Sequence, residues 1–214
     1  MRKYFDWLLN LVTIFVLALA AAGAIRPGSA IRSGIDSWQA QRALAKTWPA
    51  LQDIASRLDS GSGVVKLVEF GDYECPFCKR AHDTLRALMS RVPELGIVYR
   101  HYPLANHPAA EGAARAAICA EGQGKFRSIH SYFYKNENWK TDRNWIAAAR
   151  AVGVPDLENF EVCLNHPATT QRLRDDIALA QVVGIKGTPA FYSRTGVLVG
   201  APTDSAVSHL LGRE

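Results

Sequence analysis

The spacing of hydrophobic positions changes period along the chain, and each change marks an element. From Trp7 to Ile25 the sequence is apolar and carries no charge. At 1.5 Å per residue, a helix of this run spans roughly 30 Å, the hydrocarbon thickness of a bilayer. Residues 26–34 contain Pro, Gly and Ser and read as a tether. Leu44, Trp48, Leu51, Ala55 and Leu58 then fall on one helical stripe within residues 35–58, interrupted by Pro49. Ser60-Gly61-Ser62-Gly63 marks a linker and a boundary. Val64-Val65-Lys66-Leu67-Val68-Glu69-Phe70 is β-branched and apolar, which predicts a buried strand. Phe77, Ala81, Leu85, Leu88, Met89 and Val92 recur at helical spacing as far as Pro93, and Ile97-Val98-Tyr99-Arg100 predicts a second strand.

Between Pro108 and Val183 no strand pattern appears. The spacing predicts helices near 108–122, 125–135, 142–152, 156–164 and 167–183, with Pro108 suited to a first turn and Gly122, Gly124, Gly153 and Gly184 at expected stops. Strand character returns at Ala190-Phe191-Tyr192-Ser193. After Arg194-Thr195-Gly196 it continues through Val197-Leu198-Val199-Gly200 as a hairpin. Residues 204–212 predict a closing helix. The pattern divides the chain into an amino-terminal segment (1–25), a tether with an amphipathic helix (26–63) and an α/β domain (64–214) whose helical insertion covers about 107–184.

Composition narrows the possibilities. The chain has 214 residues, 48% of them hydrophobic, enough for one sizeable core. The net charge of +5 is distributed without a block of like sign, which argues against a nucleic-acid partner. Arg2 and Lys3 precede the apolar run and favour an amino end left in the cytoplasm with the remainder exported. The run reads either as an uncleaved anchor or, with Ala20-Ala21-Ala22 before Gly23, as a cleaved signal. Both readings put the four cysteines, Cys75, Cys78, Cys119 and Cys163, on the oxidising, periplasmic side of the cytoplasmic membrane.

Cys75-Pro76-Phe77-Cys78 lies where the first predicted strand gives way to a helix. The amino end of a helix presents unpaired N–H groups and a positive dipole end, which stabilise a thiolate on Cys75. Pro76 fits the first turn because its missing N–H has no partner there in any case. Cys75 is therefore expected to be the exposed nucleophile and Cys78 the shielded resolving thiol one turn further on, with Lys79 and Arg80 adding positive charge nearby. Glu69, an acid within an apolar strand, is costly to bury without a partner or a task, so it is read either as a proton-transfer group or as a solvated or ion-paired one.

With Val68-Glu69-Phe70 ahead of the CPFC motif, the all-helical insertion, and Gly187-Thr188-Pro189 before the hairpin, the chain from about Val64 to Leu211 resembles the DsbA-like thiol:disulfide oxidoreductases of the thioredoxin superfamily. The resemblance implies a thioredoxin-like fold with an inserted helical domain. It implies catalysis by Cys75 and Cys78, with Glu69 relaying a proton to or from the resolving cysteine. Pro189 would be a cis-proline that sets the Thr188 backbone beside Cys75, and a substrate polypeptide would meet Thr188, Pro189, Pro76 and Phe77. Some relatives carry a second, structural disulfide in the helical domain, which points to Cys119 and Cys163. The sequence departs from the Pro-His dipeptide of strongly oxidising members: Phe77 can neither hydrogen-bond nor carry charge, so a less acidic Cys75 and a less oxidising disulfide are expected.

The expected activity is disulfide exchange with cysteines of exported proteins, requiring no cofactor and recycled by a redox partner in the membrane. The direction of electron flow stays open, and an isomerase or reductase role gains if residues 35–58 form an oligomer instead of packing on the domain. The competing class is a metal-binding assembly factor using Cys75, Cys78 and His82, a set that lacks a fourth ligand at recognisable spacing. His82 is otherwise expected at the surface or behind the site, and His101, His107 and His130 are expected to cap or pack.

Overall fold

Alternation along β2, Val64–Gly71, builds the molecule outward to both sides. Leu67 faces one cluster of buried side chains, whereas Val68 and Phe70 face another, so this central strand is covered on two faces. β2 pairs in parallel with β3, Leu95–His101, placing Glu69 opposite Tyr99 and Gly71 opposite His101. On its other side β2 pairs antiparallel with β4, Ala190–Tyr192, which forms a hairpin with β5, Val197–Val199. A two-residue strand β1, Ser56–Arg57, completes the order β1-β3-β2-β4-β5. The computed structural model describes residues 46–53, 56–58, 64–93 and 95–212, all within one compact unit, Leu44–Glu214.

Eight helices are described after β2: α1, Pro76–Arg91; α2, Ala110–Glu121; α3, Phe126–Lys135; α4, Trp139–Asp142; α5, Trp145–Ala151; α6, Leu157–Leu164; α7, Pro167–Val182; and α8, Asp204–Leu210. One face of the sheet carries α1, α8 and the inserted helices α2 to α6, through Leu85, Leu88, Ile129, Phe133, Phe160 and Val207, whereas α7 lends Ala180 to the other face. Apart from α4, these helices begin and end within three residues of the bounds predicted from periodicity. Gly153 and Gly184 follow α5 and α7 with positive φ of 73° and 79°, conformations that cost glycine no side-chain clash. Trp139 of the four-residue α4, not predicted, is buried with its Nε1–H donating to the Phe133 carbonyl at 2.8 Å.

The other face differs from expectation. Residues 46–52 are helical with Pro49 inside them, and Trp48 and Leu51 pack on Val68, Phe70, Val98 and Ala180. Full burial of such side chains contributes on the order of 1.5–3 kcal/mol each. The predicted helix does not continue to Leu58: Ser56 and Arg57 pair with Tyr99 and Val98, and the Leu58 N–H donates to the Ile97 carbonyl at 2.9 Å. Edge pairing to β3 satisfies these backbone groups, an outcome that overrides helical spacing. Arg100 fixes the junction. Its guanidinium reaches Asp176 on α7 at 2.7 Å and donates to the carbonyls of Ala50, Leu51 and Asp53. The described part of the apolar stripe is thus core of the same domain and not a free tether. The anchor or signal segment expected at 1–25, and the tether and stripe as far as residue 45, lie outside the described residues. No described helix is long and apolar enough to cross a membrane.

Candidate active site

The loop from β2 to α1 delivers the dithiol. Cys75 is the residue preceding α1, in extended conformation at φ −70° and ψ 120°, with Pro76 in the first turn. Its N–H donates to the Asp72 carbonyl at 3.2 Å. Cys75 is itself buried, at 4% exposed, and not the exposed thiol expected, and Cys78, one turn on, is fully buried. Because Phe70 pairs with Ala190, the residue ahead of β4 is carried up to the motif. That residue is Pro189, joined to Thr188 by a cis peptide bond, and the Cys75 thiol donates to the Thr188 carbonyl at 3.2 Å.

The two sulfurs are electrostatically unlike. Cys75 is drawn down to about 5, first by the Cys78 side chain and then, against partial desolvation, by Thr188 and the N–H groups of Cys78 and Phe77. Cys78 is pushed well up by burial, by its bond to Cys75 and by the negative charges of Glu69 and Cys75, with the Asp72 N–H acting to lower it. Glu69 is 1% exposed and both its oxygens lack a hydrogen-bond partner, so burial, with a contribution from Cys75, lifts it to about 8. A carboxyl of this kind close to a high-pKa thiol is equipped to exchange a proton near neutrality.

As expected from Phe77, whose side chain offers no donor, Cys75 is less acidic than in the most oxidising members; it is lowered by Cys78 and by the backbone N–H groups of Cys78 and Phe77. The value lies between those typical of thioredoxin, about 7, and of the most oxidising members, about 3.5. The Phe77 ring is 49% exposed beside the motif, with the Arg80 guanidinium 4.4 Å from its centroid. Lys79 pairs with Glu137, at 2.5 Å.

Beneath the dithiol lies a buried layer of phenols and imidazoles. The Tyr73 hydroxyl meets His130 Nδ1 at 3.2 Å, Tyr99 and Tyr134 share a hydrogen bond of 2.9 Å, and Tyr134 donates to the Asp72 carbonyl at 3.3 Å. His82 joins this layer instead of the surface. It stacks near His130 and Tyr134, and burial lowers it to about 4. His101 is likewise buried, lowered to about 3 by desolvation. Cys75, Cys78 and His82 do not form a ligand set: among the described residues, no group of three or more His, Cys, Asp or Glu side chains is placed to hold a metal ion. Cys119 of α2 and Cys163 of α6 are joined in a disulfide with Cα atoms 5.8 Å apart.

Asp72 and His107 were not singled out by the sequence as site residues. The Asp72 carboxylate, 1% exposed, accepts from the N–H groups of Glu74 and Leu104, each at 2.7 Å, and meets His107 Nδ1 at 2.8 Å. Nothing in the spacing announces this, because Leu104 and His107 come from the loop after β3.

Residues 66–211 match the DSBA-like thioredoxin domain, and the chain belongs to that family. A thioredoxin-like oxidoreductase from Silicibacter pomeroyi superposes with TM-score 0.68 at 30% identity, covering 76% of this chain and 93% of that one. The catalytic domain of Proteus mirabilis ScsC gives 0.69 at 20% identity, covering 80% and 96%, a likeness of fold. Among curated proteins, the Na(+)/H(+) antiporter NhaA 1 of Mycobacterium sp. (strain KMS) is 36% identical over 133 residues, 59% of this chain and 21% of that protein. The corresponding protein of Salinispora arenicola is 32% identical over 129 residues, 60% and 20%. The chain spans about a fifth of the length of these curated relatives.

Proposed function

We propose that this chain is an extracytoplasmic protein thiol:disulfide oxidoreductase working through Cys75 and Cys78. The observation that carries the reading is the pairing of an acidic Cys75, 3.2 Å from the Thr188 carbonyl beside cis-Pro189, with a buried, high-pKa Cys78 one turn below it. A substrate thiolate attacks Cys75 of the oxidised pair and Cys78 leaves with a proton from Glu69. A second substrate thiolate then attacks the substrate sulfur of the mixed disulfide and releases Cys75 as thiolate. The reverse sequence reduces a substrate disulfide. Backbone groups at Thr188 and the exposed Phe77 ring are suited to hold an extended polypeptide.

Export is supported by the Cys119–Cys163 disulfide, a bond that persists in oxidising compartments, and by the fold's occurrence in a periplasmic thioredoxin-like protein of Salmonella enterica. The antiporter relatives are membrane proteins by name, in keeping with a domain held at a membrane and recycled by a redox partner there. The deciding experiment equilibrates the Cys75–Cys78 pair with glutathione. A potential between about −270 mV and −120 mV is expected, from a Cys75 of intermediate acidity, and insulin reduction should vanish in Cys75→Ser. A pair that neither equilibrates with glutathione nor reduces insulin overturns the reading.

A further inference from the structure

The resolving sulfur receives a single backbone donor from outside its own helix: the Asp72 N–H, 3.4 Å from Cys78 Sγ. This amide belongs to a residue whose other polar groups are also engaged. The side chain is held by Glu74 N–H, Leu104 N–H and His107, and the carbonyl takes the N–H of Cys75 and the hydroxyl of Tyr134. A buried carboxylate with three donors is expensive to displace, so the Asp72 Cα to which the amide is attached is held from two loops at once, while the amide's own peptide plane is tied to the end of β3 through the Gly71 carbonyl, which accepts from the Tyr102 N–H at 2.8 Å. Glu74 repeats the tie, its carboxylate accepting the N–H of Ala109 at the start of α2. The clamp therefore joins the redox loop to the entrance of the helical insertion.

We propose that Asp72, braced by His107, is a positioning residue for the resolving step: it holds its own amide on the Cys78 sulfur while that sulfur is negatively charged. The inference rests on the oxidoreductase reading above. In the step concerned, Cys78 gives its proton to Glu69 and the thiolate attacks the Cys75 sulfur of a mixed disulfide. The Cys75–Cys78 bond forms, the bond from Cys75 to the substrate sulfur breaks, and the substrate leaves as a thiolate that takes up a proton. The enzyme dithiol is oxidised and the substrate disulfide reduced. The forming thiolate on Cys78 sits in a desolvated position, where one charge-assisted hydrogen bond changes a rate by about tenfold or more. Cys75 is lowered by Cys78 and the first-turn amides, whereas the Asp72 N–H is placed on the Cys78 sulfur, so the amide held by the clamp acts on one sulfur of the pair.

The test compares wild type, Asp72→Asn and His107→Asn. The reduced proteins are mixed with oxidised glutathione, and the mixed disulfide is trapped by acid and followed in time. The Cys75 thiolate is titrated separately by its ultraviolet absorbance. Asp72→Asn keeps one acceptor and loses another, and should lengthen the life of the mixed disulfide about tenfold with the Cys75 midpoint unmoved. His107→Asn, which leaves both backbone donors in place, should lengthen it less, and it decides the matter should Asp72→Asn fail to fold. Lifetimes like wild type, or a Cys75 midpoint that moves in step with them, overturn the inference while leaving the oxidoreductase reading intact. Absence of any mixed disulfide in the wild type overturns both.

Discussion

Glu69 stands opposite Tyr99 in the parallel register of β2 and β3, yet its two carboxyl oxygens have no hydrogen-bond partner. The acid below the dithiol is thus kept neutral by burial, not by a bonded neighbour. Protonation is then the state the fold prefers over much of the working pH range.

Glu69→Gln should stabilise the reduced protein at alkaline pH. With Glu69 at about 8 in the fold and near 4.5 unfolded, the folded state binds the extra proton between those values, so stability falls as pH rises through that window. The substitution removes this loss. Its advantage should be near zero below pH 4.5, grow to a few kcal/mol by about pH 8 and then level off, as read from urea unfolding at several pH values.

Cys75 has the opposite sign. Its folded value of about 5 lies below the usual 9, so the thiolate contributes stability that is complete above pH 9 and lost as pH falls through 5. Comparison of reduced wild type with Cys75→Ser should show a difference growing over this interval, and carboxymethylation of wild-type Cys75 should have its midpoint near pH 5.

Asp176→Ala should be among the most destabilising single changes in the domain. It leaves Arg100 buried and unpaired and also frees the His101 N–H, which donates to Asp176 at 2.9 Å. Breaking a buried pair of this kind costs roughly 3–5 kcal/mol, measurable as a lowered denaturant midpoint. Loss of the brace on the carbonyls at 50–53 should appear as faster amide exchange in residues 46–53.

The paired change Cys119→Ala and Cys163→Ala should lower stability without altering exchange at Cys75. The disulfide closes a separation of 44 residues, for which the chain-entropy relation gives about 4 kcal/mol. Thermal unfolding of the variant, with the Cys75 midpoint as control, checks both halves.

What could be read from the chain follows from the range of the interaction involved. Helices such as α1 and α3 repeat an apolar side chain every third or fourth residue, and Pro167 and Gly184 bracket α7, so local pattern alone locates them. β1 escaped because two residues make no pattern: Ser56 and Arg57 are strand only because the edge of β3 is open to them. The dithiol, Glu69 and Thr188-Pro189 were visible as residue types in a known order. Asp72 was not, since its significance lies in donors 32 and 35 positions away. Phe77 announced the absence of a side-chain donor to Cys75, but the backbone amides that lower this thiol cannot be read from a residue's identity.

Gly71 ends β2 directly above this machinery, and a methyl group there would fall on the phenol of Tyr99. Tyr99 bonds Tyr134, which in turn bonds the Asp72 carbonyl. The missing side chain is therefore a clearance: it sets how closely the sheet floor and the redox loop can nest, and alanine at this position would lift one from the other through two hydrogen bonds.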